Sequence, residues 1–132
     1  MLEESGFSDV VCRELNIEAS KPDLEEWEQM VDHIQNRSGE VHIGLVGKYV
    51  KLHDAYLSVA EALDHAGYER DTFVKIHWID SEKITKENAN EVLKDLDGII
   101  IPGGFGNRGI EGMILSAKYA RENHIPYLGI CL

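Results

Sequence analysis

The chain has 132 residues, of which 43% are hydrophobic and 28% are charged, and its net charge is −11. No apolar run approaches the roughly 20 residues of a membrane span, and the N-terminus lacks the basic and apolar regions of a secretion signal. Such acidity repels a phosphate backbone, so we expect neither a nucleic-acid nor a membrane partner. Cys12 and Cys131 match no metal or redox spacing. We therefore expect a reduced, cytoplasmic protein without a metal site.

Charge divides the chain near the turn-forming residues 36–39. Residues 1–39 carry 3 basic and 10 acidic residues, whereas residues 40–132 carry 10 and 14. Apolar residues recur at helical spacing after Asp23 and again over Ser8–Leu15. The sequence therefore predicts a helical extension and linker over residues 1–39, followed by one domain over residues 40–132.

From residue 40 onward, apolar strands alternate with amphipathic helices. The predicted strands are Val41–Val46, Phe73–Ile79, Gly98–Ile101 and Tyr127–Cys131. Three helices are predicted between these strands. The first begins at Asp54 and ends at Gly67, the second follows a cap at Thr85, and the third spans Met113–Asn123. This alternation predicts an α/β fold: a doubly wound, mainly parallel, flavodoxin-like sheet with helices on both faces. We expect it to be truncated after about four strands, leaving an edge that tends to pair or aggregate.

Two glycine patterns suggest phosphate binding, and neither is well supported. Gly104-x-Gly106-x-x-Gly109 matches the dinucleotide fingerprint, but it follows the third strand instead of the first, and no acidic residue ends the next strand. The segment before Lys48 lacks the first glycine of a phosphate loop, and Tyr49 replaces the required Ser or Thr. We therefore expect Lys48 to be a surface or interface lysine.

A third pattern, Gly129-x-Cys131, follows the last apolar strand. A nucleophile elbow has a small residue two places before the reactive one, because the backbone turns sharply there. That half-motif alone favours an inert core cysteine. The glycines of "PGGFG" favour a nucleophile instead, because Gly103 and Gly104 follow the neighbouring strand and have unobstructed N–H groups. These N–H groups, with that of Leu132, could stabilise the oxyanion of an acyl-transfer reaction.

Three segments carry a family resemblance that extends over essentially the whole chain. "GLVGKYVKLHDAYLSVAEAL", "IIIPGGFGNRGIEGM" and "ARENHIPYLGICL" resemble the opening half of the class I glutamine amidotransferase domain of the CTP synthase family. The preceding "DLEEWEQMV" resembles the end of the synthase domain and the interdomain linker of that family.

The resemblance implies a set of roles. Cys131 would attack the glutamine amide and form a glutamyl thioester, Gly104 would contact glutamine at the oxyanion hole, and Leu132 would begin a second glutamine-contacting stretch. Ammonia would pass to a separate synthase site, where ATP with Mg²⁺ activates UTP for conversion to CTP. GTP would be an allosteric activator, and the full enzyme would be a homo-oligomer. No cofactor is implied for the present chain itself.

One part of the family pattern is absent from these 132 residues. Class I amidotransferases complete a Cys–His–Glu triad with a His-x-Glu segment, and none of the six histidines here has Glu two positions later. Without a general base the leaving amine is not efficiently protonated. We therefore expect this chain alone to be inactive. The alternative is a non-catalytic nucleotide-binding or interaction module that uses the glycine-rich loop.

Overall fold

A computed structural model describes residues 2–131. These residues divide into two units, with the boundary between Asp32 and His33. The first unit contains helix α1 (Phe7–Glu14) and most of α2 (Glu25–Gln35). The side chain of Asp23 accepts a hydrogen bond from the N–H of Glu25, so it caps the start of α2 as a capping residue should. Two helices were expected in this part of the chain, and both are present.

The second unit is built on four strands: β1 (Gly39–Gly47), β2 (Thr72–Asp80), β3 (Gly98–Ile101) and β4 (Tyr127–Gly129). Their order is β2-β1-β3-β4, and every pairing is parallel. All four residues of β3 are buried, as expected for a central strand covered on both faces. The predicted α/β fold with a parallel sheet is confirmed.

Helices cover both faces of this sheet. One face packs α3 (Leu57–Glu69) against strand residues such as Leu45 and Ile100. The other face packs α4 (Ala89–Leu93) and α5 (Ile110–Glu122) against the alternate strand residues, Val46, Ile99 and Ile101. Within the described residues, no helix is long and apolar enough to cross a membrane.

Three predicted ends, two of α3 and one of β4, differ from the observed ones. Asp54 lies in a 3-10 turn (His53–Tyr56), and α3 begins only at Leu57. Gly67 does not end α3 but lies buried inside it. Glycine is needed there for close packing, since a Cβ would lie 2.5 Å from the carbonyl oxygen of Thr72. The strand β4 ends at Gly129, two residues before the predicted end.

The predicted cap of α4 was also wrong. Thr85 does not cap this helix with its side chain: its N–H donates to the side-chain oxygen of Asn88, the residue that precedes the helix. The helix has only five residues, and Leu96 lies beyond its end but still in the core.

Helix α5 approaches the short 3-10 turn Ser81–Lys83 more closely than any side chain on the helix would allow. A Cβ added at Gly112 would lie 1.8 Å from the carbonyl oxygen of Ser81, and one added at Gly109 would lie 2.2 Å from the Ser81 hydroxyl oxygen. These glycines therefore set the position of α5, and with it the position of the loop that leads into this helix.

We predict that Gly112→Ala lowers the free energy of unfolding by about 1–3 kcal/mol, the usual cost of overpacking. The methyl group meets backbone, which cannot rotate away, and this outweighs the gain of about 1 kcal/mol in helix propensity. Urea denaturation followed by circular dichroism measures the change. Lys118→Ala, an exposed change on the same helix, is the control and should stay within about 0.5 kcal/mol. An unchanged stability in Gly112→Ala would contradict the close approach.

Candidate functional site

The candidate site lies where β3 and β4 end side by side. The two strands pair in parallel, with Ile99 opposite Tyr127 and Ile101 opposite Gly129. One further hydrogen bond, from the N–H of Ile130 to the carbonyl oxygen of Ile101 (2.9 Å), continues this alignment past the end of β4. The glycine-rich loop after β3 and the cysteine after β4 therefore leave the sheet at the same edge, where ligands bind in folds of this class.

Gly103 and Cys131 are in direct contact at this edge. A Cβ added at Gly103 would lie 2.7 Å from the Cβ of Cys131, 3.2 Å from its Sγ and 3.2 Å from the carbonyl oxygen of Ile130. Only glycine fits this position without displacing the cysteine. The structure thus brings together two of the four candidate residues. Gly104 lies instead against the side chain of Lys48, and Leu132 is outside the described residues.

Cys131 adopts a backbone conformation that is unusual for its residue type. Its φ is 64°, in the left-handed region that residues with a Cβ adopt at a cost of about 1–2 kcal/mol. Such strain is characteristic of a nucleophile elbow, in which a sharp turn exposes the reactive side chain. Cys131 is exposed, whereas Cys12 is half-buried.

Lys48 is buried, and the expectation of a surface lysine was wrong. Only 5% of this residue is exposed, and its Nζ donates hydrogen bonds to the carbonyl oxygens of Gly104 (2.8 Å), Phe105 (2.9 Å) and Gly106 (2.5 Å). A comparison with phosphate-loop motifs does not reveal this role, because the partners of the lysine are backbone carbonyl groups. Its position directly after a buried parallel strand was the available signal, because this is the sheet edge where ligands bind.

The backbone of Lys48 is held by a buried tyrosine. The hydroxyl of Tyr56 accepts hydrogen bonds from the N–H groups of Lys48 (3.1 Å) and Tyr49 (3.2 Å). A Cβ at Gly47 would lie 2.6 Å from that hydroxyl oxygen, so glycine is required for the tyrosine to reach the end of β1. The 3-10 turn that contains Tyr56 therefore fixes the position of the Lys48 backbone, from which the lysine side chain extends to the loop.

Arg108 holds the far side of the same loop. Its guanidinium donates to the carboxylate of Glu82 and to the carbonyl oxygen of Lys48 (3.3 Å), and it lies over the ring of Tyr49. The hydrogen bond to Glu82 raises the pKa of Arg108 above its ordinary value. The loop is thus restrained by one buried cation and one exposed cation.

The described residues place neither a histidine partner for Cys131 nor a metal site at this edge of the sheet. Among the hydrogen bonds of residues 2–131, none joins a histidine to Cys131; the ring nitrogens of His42 and His77 lie 2.8 Å apart and His53 stacks on Trp78. In the same residues, no group of three or more His, Cys, Asp or Glu side chains is arranged to hold a metal ion. Gly109, the last glycine of the dinucleotide-like pattern, is accounted for by its packing against Ser81.

Comparison with known proteins identifies the family. Residues 51–132 match the model of the family described as "Glutamine amidotransferase class-I". The chain belongs to the class I glutamine amidotransferases. It is 54% identical over 132 residues to a CTP synthase of Clostridium acetobutylicum and 61% identical over 133 aligned positions to a CTP synthase of Treponema denticola. In both comparisons this amidotransferase chain is covered completely but spans only 25% of the relative's length.

A solved structure shares the fold. The glutaminase domain of Trypanosoma brucei CTPS with bound acivicin matches this amidotransferase with a TM-score of 0.60 and 42% sequence identity. The match covers 67% of the present chain and 35% of the other one. The resemblance of the sequence to the amidotransferase domain of the CTP synthases is thereby confirmed.

We predict that iodoacetamide alkylates Cys131 faster than Cys12, because the first thiol is exposed and the second is half-buried. Peptide mass spectrometry at a series of times gives both rates in one sample. The same measurement in guanidinium chloride is the control, since the difference should shrink when both thiols are exposed. Slower labelling of Cys131 than of Cys12 in the folded chain would contradict the described site.

Proposed function

We propose that residues 40–132 are the first half of the glutaminase domain of a CTP synthase, that residues 1–39 are the end of its synthase domain and the interdomain linker, and that Cys131 is the nucleophile. The observation that carries the proposal is the contact between Gly103 and an exposed, strained Cys131 at one edge of a parallel sheet. Membership of the class I amidotransferases supplies the reaction class, and glutamine is the proposed substrate.

The proposed chemistry is acyl transfer through a thioester. The thiolate Sγ of Cys131 attacks the side-chain amide carbon of glutamine, and the C–N bond then breaks and releases ammonia. Water hydrolyses the resulting glutamyl thioester to glutamate and restores the thiol. The ammonia leaves only if its nitrogen receives a proton, which is the task of a general acid–base residue.

The oxyanion formed in the first step needs hydrogen-bond donors. We assign this role to backbone N–H groups of Gly103 and Gly104 on one side and to that of Leu132 on the other. Gly103 supports the assignment because its lack of a Cβ allows its backbone to lie against the sulfur. A single donor of this kind contributes about 100- to 1000-fold in rate.

The acceptor of the ammonia is also a proposal. Because relatives 54–61% identical over this whole region are named CTP synthases, we infer that the ammonia reaches a synthase site that converts UTP to CTP with ATP and Mg²⁺. Allosteric activation by GTP and assembly into a homo-oligomer belong to the same proposal. These functions would require the three quarters of the relatives' length that the chain does not span.

We predict that the 132-residue chain alone releases no ammonia from glutamine above the rate of its own Cys131→Ala variant. The physical reason is that the sequence contains no His-x-Glu segment to supply the base and its orienting carboxylate. A coupled glutamate dehydrogenase assay measures the ammonia. Sustained release that depends on Cys131 would show that a base is present in the chain.

The proposed function is tested in a hybrid protein. The matching quarter of the Clostridium acetobutylicum CTP synthase is replaced with these 132 residues, to which it is 54% identical. We expect the hybrid to make CTP from UTP and ATP with either glutamine or ammonium chloride as nitrogen donor. Cys131→Ala should lower the rate of the glutamine-dependent reaction by at least about 1000-fold and leave the rate of the ammonia-dependent reaction unchanged.

The matched control is Cys12→Ala, which should leave both reactions unchanged. Glutamine-dependent synthesis that survives Cys131→Ala would overturn the assignment of the nucleophile. A hybrid that uses ammonia but never glutamine would overturn the glutaminase proposal. Saturable binding of ATP or NAD to the isolated chain, unaffected by Cys131→Ala, would then favour the nucleotide-binding alternative.

A further inference from the structure

The three carbonyl groups that receive hydrogen bonds from Lys48 belong to consecutive residues of the glycine-rich loop, Gly104, Phe105 and Gly106. In a trans peptide the C=O and the following N–H point in opposite directions. Turning three successive carbonyls toward one ammonium therefore turns the N–H groups that follow them away from it. The N–H groups oriented in this way are those of residues 105–107, so one side chain fixes the three peptide groups that directly follow Gly103 and Gly104.

The loop has little else to hold it at its tip. Phe105 is 83% exposed, and Gly106, with a φ of 84°, has open space where a Cβ would be. A segment with several glycines loses more conformational freedom on ordering than other sequences do, so it needs a strong restraint to stay in one conformation. Charge-assisted hydrogen bonds, which are roughly twice as strong as neutral ones, provide such a restraint.

The buried charge of Lys48 is compensated by carbonyl groups and not by a carboxylate. None of the ion pairs of residues 2–131 includes this lysine, although it is almost fully buried. Burying an ammonium is costly unless hydrogen bonds replace its hydration, and here the three loop carbonyls replace it. The lysine therefore depends on the loop as much as the loop depends on the lysine, and displacement of either one leaves a buried charge uncompensated.

We propose that Lys48 is the positioning residue of the glutamine-binding loop: by fixing the carbonyl groups of Gly104–Gly106, its ammonium anchors the loop just after the Gly103 and Gly104 N–H groups and so keeps those groups beside Cys131. The inference rests on the proposed glutaminase function. Lys48 acts through the loop backbone and has no contact with the sulfur among those described. Its proposed effect is on the rate of the glutamine reaction and not on the synthase reaction.

The first test measures the loop in the 132-residue chain itself. Lys48→Met keeps the length and apolar body of the side chain but removes all three donors, and Lys48→Arg keeps the charge and donors. We expect amide hydrogen exchange in peptides spanning residues 103–109 to become at least about 10-fold faster in Lys48→Met, with exchange of β1 and β3 unchanged. The matched control is Lys51→Met, an exposed lysine three residues away, which should change nothing. Equal loop exchange in Lys48→Met and the unsubstituted chain would overturn the proposal.

The second test measures the reaction in the hybrid synthase described above. We expect Lys48→Met to lower glutamine-dependent kcat/KM by about 100-fold, the size of effect produced by a displacement of roughly 1 Å at a reaction centre. The loss should lie mainly in kcat, with ammonia-dependent synthesis unchanged and partial recovery in Lys48→Arg. A loss of both reactions together would mean general unfolding and would overturn the positioning role.

The two proposals fail in different ways. If the unsubstituted hybrid has no glutamine-dependent activity, the proposed function fails, and hydrogen exchange alone decides whether Lys48 holds the loop. If the unsubstituted hybrid is active and Lys48→Met is equally active, the glutaminase function stands and the positioning role is wrong.

Discussion

The parallel pairing of β3 with β4 is the constraint on which the candidate site depends. Parallel strands in register end at the same edge, so Ile101 opposite Gly129 commits the glycine-rich loop and Cys131 to neighbouring positions. The close approach of Gly103 to Cys131, which leaves no room for a Cβ on the glycine, follows from this alignment. β1 extends the same edge on the other side of β3 and brings Lys48 to the loop from there. Three strand ends thus contribute a thiol, a set of backbone N–H groups and a buried cation.

Glycine has a steric role at several of these positions. Gly47 lets the Tyr56 hydroxyl reach the end of β1, Gly103 admits the cysteine, and Gly112 lets α5 pack on Ser81. Each is a close approach that a single methyl group would block. The precision of the site therefore arises from backbone packing around the sheet edge. The hydrogen bonds of Lys48 then hold residues 104–106, and Arg108 ties the end of the same loop to Glu82 and to the Lys48 carbonyl oxygen.

The strands and their common edge could be predicted from sequence because buried parallel strands are short, apolar and rich in β-branched residues, as in Gly98–Ile101. Helix ends were predicted less well. Gly67 signals a helix stop by local preference, yet close packing on β2 keeps it inside α3, and that packing is a tertiary effect. The contacts of Lys48 are tertiary as well, because its carbonyl partners lie more than fifty residues away: its place after β1 indicates the ligand-binding edge of the sheet, but not the groups that the lysine binds.

The central claim is that the sulfur of Cys131 becomes covalently attached to the glutamyl group. The most direct measurement is acid quenching of the hybrid synthase during turnover of isotopically labelled glutamine, followed by peptide mass spectrometry. We expect a glutamyl adduct on the peptide that contains Cys131, and no adduct in Cys131→Ala. Glutamine turnover without an adduct on this peptide, or with the label on another residue, would contradict this claim.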